Sequence, residues 1–220
     1  MSLLLVQELG EPARPYEMAR RGLAVVVEEG SYYDRHDFNG NIIKMATKLY
    51  RNMGATGTLG NAVIAMPLGK NVGGTTTINS GTCMRTPSAV LSEWRSEGLS
   101  HLSDEEMAPY FAEVEGHLKV QPANPKYIGP IGDVIKKGAD ALGYTQNGPL
   151  MRNAEGCDGQ GLCQFGCPSG AKQSTNVSYI PKALQEGAFL YTQFKAQRYK
   201  KPDAWQEPFN SSYRYFNGTL

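Results

Sequence analysis

The run Leu23-Ala24-Val25-Val26-Val27 is apolar at every position and ends in three β-branched residues. A strand with one wet face alternates apolar and polar residues. A strand without alternation is covered on both faces, as in a parallel sheet flanked by helices. Glu28-Glu29-Gly30 closes the run. This one feature reads the chain as α/β. Its surroundings agree: residues 17–21 read as the last turn of a helix, basic at its end and followed by Gly22, and residues 3–6 as a second short strand.

Other elements follow from periodicity and caps. Residues 40–53 read as a helix, with Ile42, Ile43, Ala46, Leu49 and Tyr50 as its apolar face. Residues 62–66 are strand-like. Ser103-Asp104-Glu105-Glu106 is a capping-box pattern opening a helix over 103–118, with Met107, Tyr110, Phe111, Val114 and Leu118 as its stripe. Pro130 at the first position and Gly143 after the last mark a helix over 130–142. A short helix runs from Pro181 to Gly187, and a strand follows over 189–196. From Lys200 onward a proline- and tyrosine-containing polar tail shows no period.

The chain has 220 residues, net charge +1 and 40% hydrophobic residues. A near-neutral balance lacks the Lys and Arg excess that replaces phosphate counterions, so nucleic acid is not an expected partner. The longest apolar runs are far short of the roughly 20 residues a membrane span needs. The start Met1-Ser2-Leu3 has no basic region before its apolar run, so no secretory signal is read and a cytoplasmic setting is expected. Twenty-five glycines point to many turns and to close backbone approach.

Two runs carry chemistry. In Gly69-Lys70-Asn71-Val72-Gly73-Gly74-Thr75-Thr76-Thr77-Ile78-Asn79 the paired glycines let backbone N–H groups approach an anion or a ring. On residues alone, a Gly-Gly turn leading into a threonine-rich strand is the reading that wins. The second run holds Cys157, Cys163 and Cys167 on a glycine-rich loop, the last followed by Pro168. Structural thiols, a disulfide, a zinc site completed by Cys83, and an iron–sulfur cluster are the alternatives there.

The first run resembles the first signature of the glucose–methanol–choline (GMC) family of FAD-dependent oxidoreductases at every constrained position from Gly69 to Asn79. Cys83 and Thr86 depart from the later pattern. Residues 23–30 resemble the family's second strand. The run from Cys157 to Lys172, with Ser178-Tyr179-Ile180-Pro181-Lys182-Ala183-Leu184, is similar to a subgroup of long-chain alcohol oxidases and sugar or sugar-acid dehydrogenases. The resemblance covers about residues 18–198.

The resemblance implies an incomplete FAD-binding, Rossmann-like GMC-type domain with helical and cysteine-rich insertions over residues 18–199. Segments 1–17 and 200–220 are read as unrelated ends. Glu28 would hold the adenosine ribose. Val72, Gly73, Gly74 and Thr75 would run beneath the pyrophosphate and ribityl chain. Asn79, Ser80, Gly81 and Thr82 would line the flavin, and Ala196 would present backbone to the adenine. Ile78 stands where some relatives attach FAD through a histidine, so FAD would be held non-covalently. Relatives with similar cysteine spacing carry a three-iron [3Fe-4S] cluster, which Cys157, Cys163 and Cys167 would ligate.

The implied reaction is hydride transfer from the CH–OH group of a small alcohol or sugar to flavin. Two of the family's parts are not found. After residues 3–6 comes Gln7-Glu8-Leu9-Gly10-Glu11-Pro12, which has one glycine where the family has Gly-x-Gly-x-x-Gly. His36, His101 and His117 do not lie in the context of the catalytic histidine, and His117 reads as a solvated helix residue. No catalytic residue is assigned, and weak or absent FAD binding and no turnover are expected of the chain by itself. The alternatives are a non-catalytic iron–sulfur electron-transfer module and a truncated chain with no function of its own. A visible spectrum distinguishes flavin, cluster and neither.

Overall fold

The sheet expected around Val25 is present and parallel. The computed structural model describes residues 2–5, 16, 19, 20, 22 and 24–196. Strand β1 (Ser2–Leu5) pairs with β2 (Ala24–Val27), and β2 pairs with a strand from the other end of the chain, β7 (Phe189–Tyr191). Both pairings are parallel, with Leu5 opposite Val27 and Val27 opposite Tyr191. Residues 2–5, inside the segment set apart by sequence, thus share a sheet with β2. Residues 7–12 and 200–220 lie outside the described residues. The architecture is mixed α/β.

Between β2 and β7 come α1 (Ile42–Leu49), a 3-10 turn (Arg51–Gly54) and the small hairpin β3 (Gly57–Thr58) and β4 (Ile64–Ala65). Then follow α2 (Thr75–Ile78), α3 (Ser88–Ser96), α4 (Asp104–His117) and β5 (Gln121–Pro122). A 3-10 turn (Pro125–Tyr127), α5 (Pro130–Ala141), β6 (Met151–Arg152) and α6 (Tyr179–Gln185) complete the order. Strands β5 and β6 form a two-stranded antiparallel ribbon.

Helix α4 begins as its sequence requires. The Ser103 side chain accepts from the Glu106 N–H, and the Glu106 carboxylate accepts from the Ser103 N–H. Helix α5 starts at Pro130 and stops before Gly143, whose φ of 77° ends it without steric cost. Both apolar stripes are only partly covered, however. No residue of α4 is fully buried, and Tyr110 is 63% exposed.

Helix α1 differs from its expected face and length. Met45 and Leu49 are fully buried against Phe38 and Ile78, whereas Ile42 and Ile43 are exposed. The helix stops at Leu49 because residues 68–70 capture its end. The Lys70 N–H donates to the Leu49 carbonyl at 2.7 Å, and the Arg51 N–H to the Leu68 carbonyl at 2.8 Å. Thr75–Ile78 is a helical turn, not a threonine-rich strand. Helix α6 starts two residues before Pro181, at Tyr179, and β7 ends at Tyr191 rather than at 196.

Burial is divided among small clusters. Val26, Val72 and Ile180 tie the sheet to the 69–79 run and to α6. Phe38, Met45, Leu49 and Ile78 tie α1 to the end of that run. Gly30 makes the junction at the carboxyl end of β2. A Cβ there would lie 2.3 Å from the Lys70 carbonyl oxygen and 2.4 Å from the Asn71 nitrogen, both backbone atoms. Gly30→Ala is therefore expected to destabilise the fold by about 1–3 kcal/mol, the usual cost of overpacking. Urea unfolding checks this; a midpoint equal to wild type would show that the junction yields freely.

Candidate functional site

Beyond the carboxyl ends of the parallel strands, two segments converge on β2. Ser31 forms a parallel bridge with Asn71, and the Val72 N–H donates to the Ser31 carbonyl at 3.0 Å. From the other direction the Gln193 N–H donates to the Gly30 carbonyl and the Phe194 N–H to the Glu28 carbonyl. In open α/β sheets this end is where ligands bind. Glu28 is half-buried there, and its Oε1 accepts from the Gly30 N–H at 2.6 Å. Its neighbour Glu29 is held by Arg51 at 2.8 Å and Lys70 at 3.4 Å. The hydrogen bond from Arg51 leads the causes that lower the Glu29 carboxyl below its ordinary range.

The 72–82 run is set by its own backbone. Val72 is buried. Gly73 and Gly74 have φ of 100° and 51°, which turn the chain into α2. The Gly73 carbonyl accepts from the Thr76 and Thr175 hydroxyls, and Thr75 Oγ1 accepts from the Gly69 N–H. After α2, Asn79, Ser80 and Thr82 are exposed while Gly81 is buried. Asn79 Oδ1 accepts from the Gly81 N–H, and the Ser80 and Thr82 hydroxyls lie 3.2 Å apart. Ala196 lies beyond β7 in irregular chain, two residues past the Phe194 contact with Glu28. The structure thus sets Asn71 and Val72 beside the end of β2, while residues 80–82 lie against β6 through Arg152 and Asn153.

The group that pins this run is one the sequence reading passed over. Lys172 is 2% exposed. Its Nζ donates to three backbone carbonyls: Thr77 at 2.8 Å, Asn79 at 2.8 Å and Cys163 at 2.7 Å. An ammonium has three donors and no acceptor, so the cage satisfies it fully. Desolvation is the main influence on it and lowers its pKa from 10.5 to about 8. Arg152 adds a second tie, with Nη2 donating to the Ser80 carbonyl and lying 3.1 Å from Cys163 Sγ. The sequence did carry a signal: Lys172 is the sole charged residue between Asp158 and Lys182. A lone charge in so long an uncharged stretch is a candidate for burial with partners.

The cysteines correct an expectation. Among the described residues no group of three His, Cys, Asp or Glu side chains is gathered to hold a metal ion. Cys157, Cys163 and Cys167 therefore do not form the donor set that a [3Fe-4S] cluster would need. Each sulfur meets its own neighbours instead. Cys157 Sγ accepts from the Gly159 N–H, Cys163 Sγ lies against Arg152, and Cys167 Sγ accepts from the Lys172 N–H. All four cysteines are free. Burial pushes the Cys83 thiol up from its ordinary value.

His117 is also corrected. Its ring stacks on Tyr179 at 3.9 Å, Nδ1 lies 2.9 Å from Lys182 Nζ, and the buried Nε2 has no hydrogen-bond partner among the described residues. Burial, then the Lys182 charge, lowers its pKa. It is a joint between α4 and α6 rather than a solvated residue. His36 sits in an exposed turn where its N–H donates to Asp34, and His101 is exposed.

With this geometry in place, the comparison with known proteins is decisive. A family model described as GMC oxidoreductase matches residues 46–203. The chain belongs to the GMC oxidoreductase family. The matched region is that family's N-terminal, FAD-binding part. The chain is 36% identical over 184 residues to an uncharacterized GMC-type oxidoreductase of Mycobacterium tuberculosis, covering 82% of this chain and 29% of that protein. It is 33% identical over 185 residues to a long-chain-alcohol oxidase of Arabidopsis thaliana, covering 83% of this chain and 24% of the relative. The chain thus spans less than a third of the length of these relatives. Among the described residues no helix is long and apolar enough to cross a membrane.

Lys172→Met would leave three carbonyls without their donor. We expect a loss of roughly 2–4 kcal/mol in urea unfolding at neutral pH. The pH dependence has a definite sign. Lys172 titrates near 8 when folded and at the ordinary 10.5 when unfolded. Between these values the unfolded chain holds the extra proton. Wild-type stability therefore rises relative to Lys172→Met as pH climbs through this window, by at most roughly 3 kcal/mol, and the gain is lost as pH falls back through 8. Parallel unfolding curves for the two proteins across the window would show that Lys172 is not buried as described.

Proposed function

We propose that this chain is an FAD-binding portion of an oxidoreductase that takes hydride from the CH–OH group of a small alcohol or sugar. The carrying observation is the meeting of the Glu28 end of β2 with the 70–75 run at the carboxyl edge of a parallel sheet. The names of the relatives support an alcohol as donor. The proposed unit is an incomplete Rossmann-like GMC-type domain over residues 18–199.

The residues fit a dinucleotide at this edge. Glu28 supplies a carboxylate at the strand end for ribose hydroxyls. Val72, Gly73, Gly74 and Thr75 offer a backbone turn with φ of 100° and 51° at its two glycines. Asn79, Ser80 and Thr82 present exposed polar side chains around Gly81 on a run anchored by Lys172 and Arg152. Ala196 continues the segment that contacts the Glu28 carbonyl through Phe194. Ile78 is buried in an apolar cluster, which supports non-covalent retention.

FAD, when bound, supplies the hydride acceptor. The chain's own part is to hold and orient it: the carboxylate fixes the ribose, the glycine turn admits the phosphates, and the caged 77–80 backbone keeps the polar side chains in place. No residue of this chain is assigned the base that would take the hydroxyl proton.

Flavin fluorescence titration tests the reading. With no Gly-x-Gly-x-x-Gly after β1, we expect a dissociation constant weaker than about 1 µM. Glu28→Gln should weaken it about tenfold more, since a hydrogen bond to a charged group is worth roughly 1.5–3 kcal/mol. Unaltered FAD emission at saturating protein, or equal affinity for Glu28→Gln with its thermal unfolding unchanged, would overturn the assignment.

A further inference from the structure

A second concave site shares Arg152 with the 72–82 run. We propose that the cavity between the β5–β6 ribbon and the Pro125–Tyr127 turn binds a small monocarboxylate with a short apolar body. The cavity is about 300 Å³, at the small end of the range for ligand pockets. Its lining contains one cation, Arg152, and no carboxylate. The site is therefore positive by one charge, which one carboxylate neutralises; a phosphate dianion would remain half-compensated.

The donors are in place. Arg152 commits only Nη2, to the Ser80 carbonyl and the Cys163 sulfur. Its Nε and Nη1 have no hydrogen-bond partner among the described residues, and either can donate one charge-assisted hydrogen bond to a carboxylate. Asn124 Oδ1 must accept from the Lys126 N–H at 3.0 Å to cap the turn, which leaves its amide N–H₂ as a donor to the cavity. Gln121 adds a second amide. Tyr127, Ile128 and Ala154 supply apolar wall. Small-molecule sites combine such a wall with a few convergent polar groups. The inference requires no flavin and stands independently of the function proposed above.

The test is a ¹H–¹⁵N NMR titration of the whole chain with benzoate, benzyl alcohol and inorganic phosphate. Benzoate should move the amides around Asn124 and Ala154 and saturate in the millimolar range, with benzyl alcohol, the same shape without charge, at least about tenfold weaker. Asn124→Asp keeps the acceptor that caps the turn but adds a negative charge. It should weaken benzoate at least about tenfold while the Lys126 amide stays in place. Gln121→Glu, at an exposed position, should act in the same direction if Asn124→Asp fails to fold. The proposal is overturned by no benzoate shift, by benzoate and benzyl alcohol binding equally, by phosphate matching benzoate at the same amides, or by benzoate affinity unchanged in the folded acidic variant.

Discussion

The caged ammonium of Lys172 is the contact on which the site depends. Three carbonyls from two distant parts of the chain, Thr77 and Asn79 on one side and Cys163 on the other, converge on one Nζ. Thr77 lies in the last turn of α2, and Asn79 and Cys163 lie in irregular chain. Loops with buried backbone polar groups are costly unless something pairs them. Lys172 pairs three at once, and in doing so joins the end of α2 to the cysteine loop. Alongside it, residues 81–83 run against β6: the Asn153 N–H donates to the Gly81 carbonyl and the Cys83 N–H to the Met151 carbonyl. Side chains at 79, 80 and 82 are exposed because their backbone is fixed from beneath.

The same arrangement gives the cysteine-rich run its character. A loop that ligates a cluster turns its sulfurs toward one point. Here Cys163 contributes its carbonyl to the lysine cage and its sulfur to Arg152, while Cys167 accepts from the Lys172 N–H. Gly166 lets the loop lie directly on Phe38, since a Cβ there would stand 2.2 Å from the ring. The loop is thereby docked on the cluster that also buries Met45, Leu49 and Ile78.

Much of this was legible along the chain. An apolar run without alternation implied a parallel strand, and β2 lies between two parallel neighbours. The Ser103–Glu106 box and the Pro130 and Gly143 punctuation marked two helices, because caps are local chemistry that needs no tertiary partner. The 69–79 run identified the family, because its glycines and small residues answer a close backbone approach that few other sequences satisfy.

What the chain order alone left open was decided by packing between distant segments. Periodicity shows that a helix has an apolar side, but Phe38 and Ile78 chose Met45 and Leu49 over Ile42 and Ile43. Residues 68–70 ended α1 at Leu49: the Lys70 N–H took the Leu49 carbonyl, and the Leu68 carbonyl took the Arg51 N–H. Glycine turns and the Thr76–Thr175 contact made a helix of a threonine run whose propensity favours strand. His117 stacked on Tyr179, and Lys172 reached the Thr77 and Asn79 carbonyls, only because the fold brought residues 62 to 95 positions apart together. Local sequence determines which groups are apolar, charged or able to cap. Which of them leave water, and with whom, is a long-range matter: burial and pairing are properties of the assembled chain.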